Sequence, residues 1–177
     1  MNKQILDKTF KPYLTQSNIA EAIERIANQI NQDYNEKNPL FIAILNGSFI
    51  FASDLFKKIN IPAEISFIKL ASYQGTKSTG NVITAIGLET DLYDRNVIVL
   101  EDIIDTGKTL SAFLPQLEHQ QPKSLKVCTL LHKKAATKYP ITIDYLGFEI
   151  PDLFVVGYGL DYNGYGRNLD QIMQIDE

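Results

Sequence analysis

Cysteine is almost missing from this chain: Cys128 is the only one in 177 residues, and it lies inside an apolar stretch. Neither a disulfide framework nor a cysteine-based metal site can form within one chain, and a reducing, cytoplasmic setting fits. Histidine is nearly as scarce, with two residues, and His132 is read as structural or solvated. Lys and Arg form no long run and the formal net charge is -4, which gives a nucleic-acid partner little electrostatic support. No apolar run approaches the length that spans a bilayer, and the polar stretch from Met1 to Lys11 holds no long apolar region. A soluble protein with no membrane partner is expected.

What the chain does have is apolar mass in short, patterned pieces. Hydrophobic residues make up 45% of it, enough for one core and a single domain. Ile19, Ile23, Ile26, Ala27 and Ile30 recur at helical spacing behind a possible cap at Ser17, and this helix should fade before Asn38-Pro39. Two runs without polar alternation, Phe41 to Leu45 and Val97 to Leu100, suit strands buried on both faces of a parallel sheet, and Leu125 to Leu131 is another apolar strand, with Lys126 near its entry. Phe49 to Ile59 is expected to be helical, Glu64 to Leu70 a strand, and Val82 to Gly87 a returning strand. Leu110, Phe113, Leu114 and Leu117 mark another helix, with a kink or early end expected at Pro115. From Ile141 onward the pattern turns to strand segments, Ile141 to Ile150 and Phe154 to Gly159. The fold class is α/β, with a mainly parallel central sheet flanked by helices.

Chemistry concentrates where apolar runs end. Glu101 and Asp102 follow Val97 to Leu100, at the carboxyl end of a strand, where open parallel sheets bind ligands. Two adjacent carboxylates there are costly unless a cation or sugar hydroxyls meet them. The turn Asp105-Thr106-Gly107-Lys108-Thr109 comes next and can present amides and hydroxyls at a helix start, a place that favours phosphate. It is not a nucleotide P-loop, because Asp102 stands where that motif requires its first glycine. Asn46-Gly47-Ser48 closes the strand before it on the same edge, and His132-Lys133-Lys134 closes the strand after it. The polar tract Ala71 to Gly80 has two glycines and few apolar anchors, the composition of a hairpin tip. The tail from Pro151 to Leu169 combines aromatics and glycines with Asp161 and Arg167, a mixture that a purely structural strand does not need.

The strand, acid pair and D-T-G-K-T loop together resemble the phosphoribosyl-diphosphate signature of type I phosphoribosyltransferases. With Leu130 to Lys134, Ser72-Tyr73 with Ser78-Thr79-Gly80, and Gly147 to Leu169, the chain resembles bacterial-type hypoxanthine and hypoxanthine-guanine phosphoribosyltransferases from Leu45 to Leu169. The resemblance implies the type I phosphoribosyltransferase fold: a core of about residues 17–140, a small hood from about 1–16 and 141–177, and a mobile flap at about 71–82. It implies that Asp105, Thr106, Gly107, Lys108 and Thr109 wrap the 5′-phosphate and that Glu101 and Asp102 contact the ribose hydroxyls. Asn46 and Gly47 would meet diphosphate, with Asn46 in the place of a basic residue and so relying on amides or its carboxamide. Lys133 would donate to the purine 6-oxygen, Phe154 would stack on the base, the backbone around Val155 would read its edge, and Arg167 would hold diphosphate.

The implied reaction moves a 5-phosphoribosyl group from phosphoribosyl diphosphate to N9 of a 6-oxopurine. Asp105 is then the candidate general acid/base at N7, with Ser72 and Tyr73 in the catalytic flap. Mg2+ is the implied cofactor, with Asp161 and the Glu101–Asp102 pair as its carboxylates. A homodimer or homotetramer is implied as well. Two rivals share the signature: a sister enzyme preferring xanthine and guanine, decided by hood backbone contacts near the purine 2-position, and a non-catalytic regulator that senses phosphoribosyl diphosphate. The acidic balance argues against the regulator.

Overall fold

The computed structural model describes residues 1–73 and 82–176, with 71–73 and 82–86 described by backbone alone. In chain order the elements are β1 (Lys3–Ile5), β2 (Lys8–Leu14), α1 (Gln16–Asp33), β3 (Leu40–Leu45), α2 (Phe49–Phe56), β4 (Glu64–Tyr73) and β5 (Val82–Ile86). There follow β6 (Asn96–Ile104), α3 (Lys108–Glu118), β7 (Ser124–His132), β8 (Tyr145–Glu149), β9 (Val155–Val156) and β10 (Ile172–Ile175). No helix among the described residues is long and apolar enough to cross a membrane.

The unbroken apolar runs become the middle of a six-stranded sheet ordered β5-β4-β3-β6-β7-β8. All its pairings are parallel except β4 with β5. Period-two geometry explains why these strands are apolar at every position: Ile98 and Leu100 face one core cluster while Val97 and Val99 face another. The first cluster takes the buried stripe of α1 and the apolar side of α2; the second takes Leu110, Phe113 and Leu117 of α3. A second, antiparallel sheet joins both chain ends in the order β1-β2-β10-β9 around Phe10, Val156 and Met173. This is the small hood that the chain ends were expected to supply.

Several boundaries differ from expectation, each for a local reason. The cap of α1 is Thr15, not Ser17, because Asn18 closes a reciprocal box: Thr15 Oγ1 accepts from the Asn18 amide at 3.2 Å and Asn18 Oδ1 accepts from the Thr15 amide at 3.1 Å. The second helix, α2, stops at Phe56, and Lys58 and Ile59 tighten into bonds with Leu55 and Phe56 rather than continuing it to Ile59. Pro115 does not end α3, which runs on to Glu118. Proline removes one backbone donor, and the fully buried Phe113 and Leu117 on either side hold the helix to the sheet. β8 pairs in parallel with β7, so the large sheet takes in residues beyond 140, where the hood was expected to begin. β9 is only two residues long because Gly157, Tyr158 and Gly159 all adopt positive φ, which turns the chain immediately after Val156.

Candidate active site

The carboxyl ends of β3, β6, β7 and β8 lie side by side, and the segments leaving them build the site. β6 is longer than its apolar run and continues to Ile104, so Glu101 and Asp102 sit within its last turns of pleat rather than beyond its end. The ladder needs only backbone groups, and Glu101 pairs with Thr129 of β7 like any strand residue. Asp102 is buried and Glu101 half-buried, but Glu101 Oε2 is itself sealed from solvent and has no hydrogen-bond partner among the described residues. Burial foremost, and then the neighbouring Asp102 charge, pushes the Glu101 carboxyl well above the usual range. Burial also raises Asp102, opposed by a hydrogen bond from Glu101, by backbone amides and by the positive Arg167. Two carboxyls so close cannot both ionise cheaply, and the orphaned oxygen is what an incoming cation or hydroxyl would satisfy.

Glu101 also lines a cavity of about 100 Å³ whose wall is Ile103 to Leu110. Gly107 caps α3 with φ +78° and offers no side chain to its first-turn amides. A side chain there would strike the Tyr139 carbonyl as well. The loop is pinned from behind, because the Thr106 carbonyl accepts the amides of Lys138 and Tyr139, each at 3.0 Å. Asp105, Thr106, Lys108 and Thr109 remain exposed. The Lys108 amide makes only a long bond to the Thr106 hydroxyl, 3.4 Å, so the result is a helix N-terminus facing a small polar cavity, a cradle of phosphate character.

Asn46 is exposed and follows β3 through a cis peptide from Leu45. Gly47 lies against Asp102: the Asp102 carboxylate occupies the space where a Cβ at residue 47 would stand. From the hood, Gly159 closes on the Gly47 carbonyl, again too near for any side chain. Arg167 Nη1 donates to the Gly159 carbonyl at 2.6 Å while Nη2 pairs with Asp161 Oδ1 at 2.6 Å. Asp161 Oδ2 accepts the Gly164 amide at 2.7 Å. The expected magnesium ligand Asp161 is therefore engaged at both oxygens, and among the described residues no three His, Cys, Asp or Glu side chains converge to hold a metal.

Lys133 follows β7 as Asp105 follows β6. Its side chain is only 9% exposed, and Nζ donates to Asp105 Oδ2 at 3.1 Å and to Asp152 Oδ1 at 3.3 Å. His132, beside it, pairs its Nε2 with the Thr137 hydroxyl at 3.0 Å, as a structural histidine does. Phe154 is 45% exposed and rests edge-on against Tyr162, with ring centroids 5.8 Å apart. Val155 is buried, and its backbone pairs with Gln174 of β10. Ser72 and Tyr73 end β4, opposite Ile83 and Val82, as strand rather than the start of a loop; the rest of the expected flap, residues 74–81, and both side chains lie outside the described residues. Two contacts were not anticipated from sequence: Asp152 on Lys133, and the Tyr158 hydroxyl on Asp54 of α2. Neither carries a local pattern, since each joins segments far apart in the chain.

A sequence profile of the phosphoribosyl transferase domain matches residues 11–163. A hypoxanthine phosphoribosyltransferase of Buchnera aphidicola is 42% identical over 170 residues, covering 94% of this chain and 96% of its own. A hypoxanthine-guanine-xanthine phosphoribosyltransferase of Tritrichomonas foetus is 39% identical over 169 residues, covering 95% and 92%. Among solved structures, a hypoxanthine phosphoribosyltransferase of Staphylococcus aureus superposes with a TM-score of 0.87 at 38% identity, over 94% of this chain and 91% of that one.

Proposed function

As a member of the phosphoribosyl transferase domain family, the chain is a pentosyltransferase of purine salvage, and we propose that it joins the 5-phosphoribosyl group of phosphoribosyl diphosphate to N9 of hypoxanthine, and of guanine, releasing diphosphate. The observation that carries the reading is the pairing of Asp105 with Lys133 at 3.1 Å on adjoining strand ends. It sets a proton-exchanging group beside a pure donor, the combination that a 6-oxopurine requires.

In this reading the 5′-phosphate takes the amides from Thr106 to Thr109, replacing the 3.4 Å bond from the Lys108 amide to the Thr106 hydroxyl, and Lys108 adds charge. The ribose hydroxyls donate to Glu101 and Asp102, which would relieve the partnerless Glu101 Oε2. Diphosphate meets the Asn46–Gly47 backbone and Arg167, whose fork suits bidentate oxygens. The purine stacks on the exposed face of Phe154, with the backbone at Val155 along its edge. Lys133 donates to the 6-oxygen; having no acceptor, it opposes a 6-amino group, so adenine is rejected. Asp105 exchanges a proton at N7 as N9 attacks the anomeric carbon. That displacement develops oxocarbenium character, and Ser72 and Tyr73, carried on β4 past the end of β3, are assigned to closing over it.

Mg2+, the inferred cofactor, would neutralise charge on the departing diphosphate. Glu101, with its partnerless Oε2, and the buried Asp102 beside it would face the ion, whereas Asp161 must first give up Arg167. Such an ion needs few protein ligands when substrate oxygens supply the others. The free thiol of Cys128 suits the cytoplasm as the inferred compartment, and the resemblance supports a homodimer or homotetramer. Diphosphate release from phosphoribosyl diphosphate, with and without hypoxanthine, tests the assignment. Release that depends on hypoxanthine is expected; a protein that binds phosphoribosyl diphosphate without turning it over would be the regulator instead.

A further inference from the structure

Three neighbouring parallel strands deliver three charges to one point. β6, β7 and β8 end in register, Ile104 opposite His132 and His132 opposite Glu149. The residues just beyond them are held by backbone bonds across the same edge: the Lys133 amide donates to the Ile104 carbonyl and the Ile150 amide to the His132 carbonyl, each at 2.9 Å. Asp105, Lys133 and Asp152 therefore follow three adjacent strand ends, with the ammonium of Lys133 between the two carboxylates. Their exposures are unequal: the Lys133 side chain is 9% exposed, Asp105 50% and Asp152 65%. A nearly desolvated ammonium depends on its partners far more than solvated carboxylates depend on it.

The proposed reaction draws Asp105 away from that ammonium. A carboxyl group aimed at purine N7 cannot also compensate Lys133 fully, and Lys133 must still point a donor at the purine 6-oxygen. We propose that Asp152 is a positioning residue for Lys133: it retains the ammonium when Asp105 turns to the base, and so sets the direction in which Lys133 donates. Asp152 does not touch the purine in this arrangement. It lies two residues before Phe154, so the turn that seats the stacking ring also seats the partner of the base-reading lysine. Without Asp152, Lys133 closes on Asp105 alone, and the incoming purine must break that pair. The cost falls on purine binding and spares phosphoribosyl diphosphate, whose cradle lies at Thr106 to Thr109.

The inference rests on the base-reading role assigned to Lys133, and steady-state kinetics of the full-length protein separate the two. Asp152→Asn is expected to raise the KM for hypoxanthine about 10-fold, the loss of one charge-assisted contact, with the KM for phosphoribosyl diphosphate within about twofold and the melting temperature unchanged. Asp152→Glu should recover most of the loss. In the Lys133→Ala background, Asp152→Asn should add no further effect, because its action passes through Lys133. If Lys133→Ala impairs hypoxanthine turnover while Asp152→Asn leaves both KM values at their wild-type level, or raises both together, Asp152 has no positioning role. If Lys133→Ala is itself unimpaired, the base-reading assignment fails and this inference goes with it.

Discussion

The Asp102 carboxylate fills the space that a side chain at Gly47 would occupy. The Asn46–Gly47 loop and the Glu101–Asp102 acid pair are thereby fitted to each other through a missing Cβ, and the Gly47 carbonyl in turn receives Gly159 of the hood.

Gly47→Ala must therefore push Asp102 aside. A displacement of about 1 Å near reacting groups costs on the order of 100-fold in rate, and a loss of that size in kcat/KM for phosphoribosyl diphosphate is expected. Steady-state kinetics with varied phosphoribosyl diphosphate check it; a variant within threefold of wild type would mean that Asp102 is not constrained by the loop.

Lys133→Ala removes the proposed donor to the 6-oxygen and leaves Asp105 and Asp152 facing each other without their shared cation. A hydrogen bond to a charged group is worth about 1.5–3 kcal/mol, so kcat/KM for hypoxanthine should fall by about 10- to 150-fold. Adenine, no longer opposed by a fixed donor, should lose nothing. The ratio of the two efficiencies, measured in one buffer, reads the effect.

The acid pair should make the unliganded protein prefer low pH locally. Burial, and then the Asp102 charge, raises Glu101 above its ordinary value of 4.5, so the folded chain holds this proton more tightly than the unfolded chain. The contribution is fully present below 4.5 and is lost as pH rises through the raised value. Glu101→Gln keeps a donor toward Asp102 and removes the titration, so its melting temperature should exceed that of wild type at neutral pH, with the gap closing toward pH 4.5. Each 1 kcal/mol of relief corresponds to about 2–4 °C for a chain of this size. Thermal melts of both proteins across that range test the sign, and a gap that widens on acidification contradicts it.

Magnesium alone should do little. Among the described residues no three acidic, histidine or cysteine side chains form a ligand set, and Asp161 is held by Arg167 and the Gly164 amide. Millimolar Mg2+ without substrate is expected to shift the melting temperature by less than about 1 °C. Phosphoribosyl diphosphate with Mg2+, at about 100 times its Kd, stabilises by about 2.7 kcal/mol, several degrees. A large shift from Mg2+ alone would point to a resident metal site.

Strands were legible in the sequence where both faces are buried, because Val97 to Leu100 and Phe41 to Leu45 then leave no polar position. The same criterion hid the end of β6: a ladder continues through Glu101 and Asp102 on backbone bonds, and side-chain pattern does not report those. The turn into α3 at Thr106 to Thr109 was legible because a short loop before a helix carries its own signature. The Asp161–Arg167 pair was not, since it depends on a tight turn through Gly164 and Gly166 at positive φ that brings two expected substrate contacts onto each other. Asp152 carries no signal in the sequence because its partner is set by the register of three strands, a property of the sheet rather than of any segment.

In the proposed reading, this sheet edge transfers a phosphoribosyl group to purines bearing a 6-oxygen. Initial rates of diphosphate release with hypoxanthine and with adenine, at equal concentration and saturating phosphoribosyl diphosphate and Mg2+, address it most directly. Release with hypoxanthine and a rate at least about 100-fold lower with adenine are expected; equal rates, or no purine-dependent release at all, would overturn the assignment.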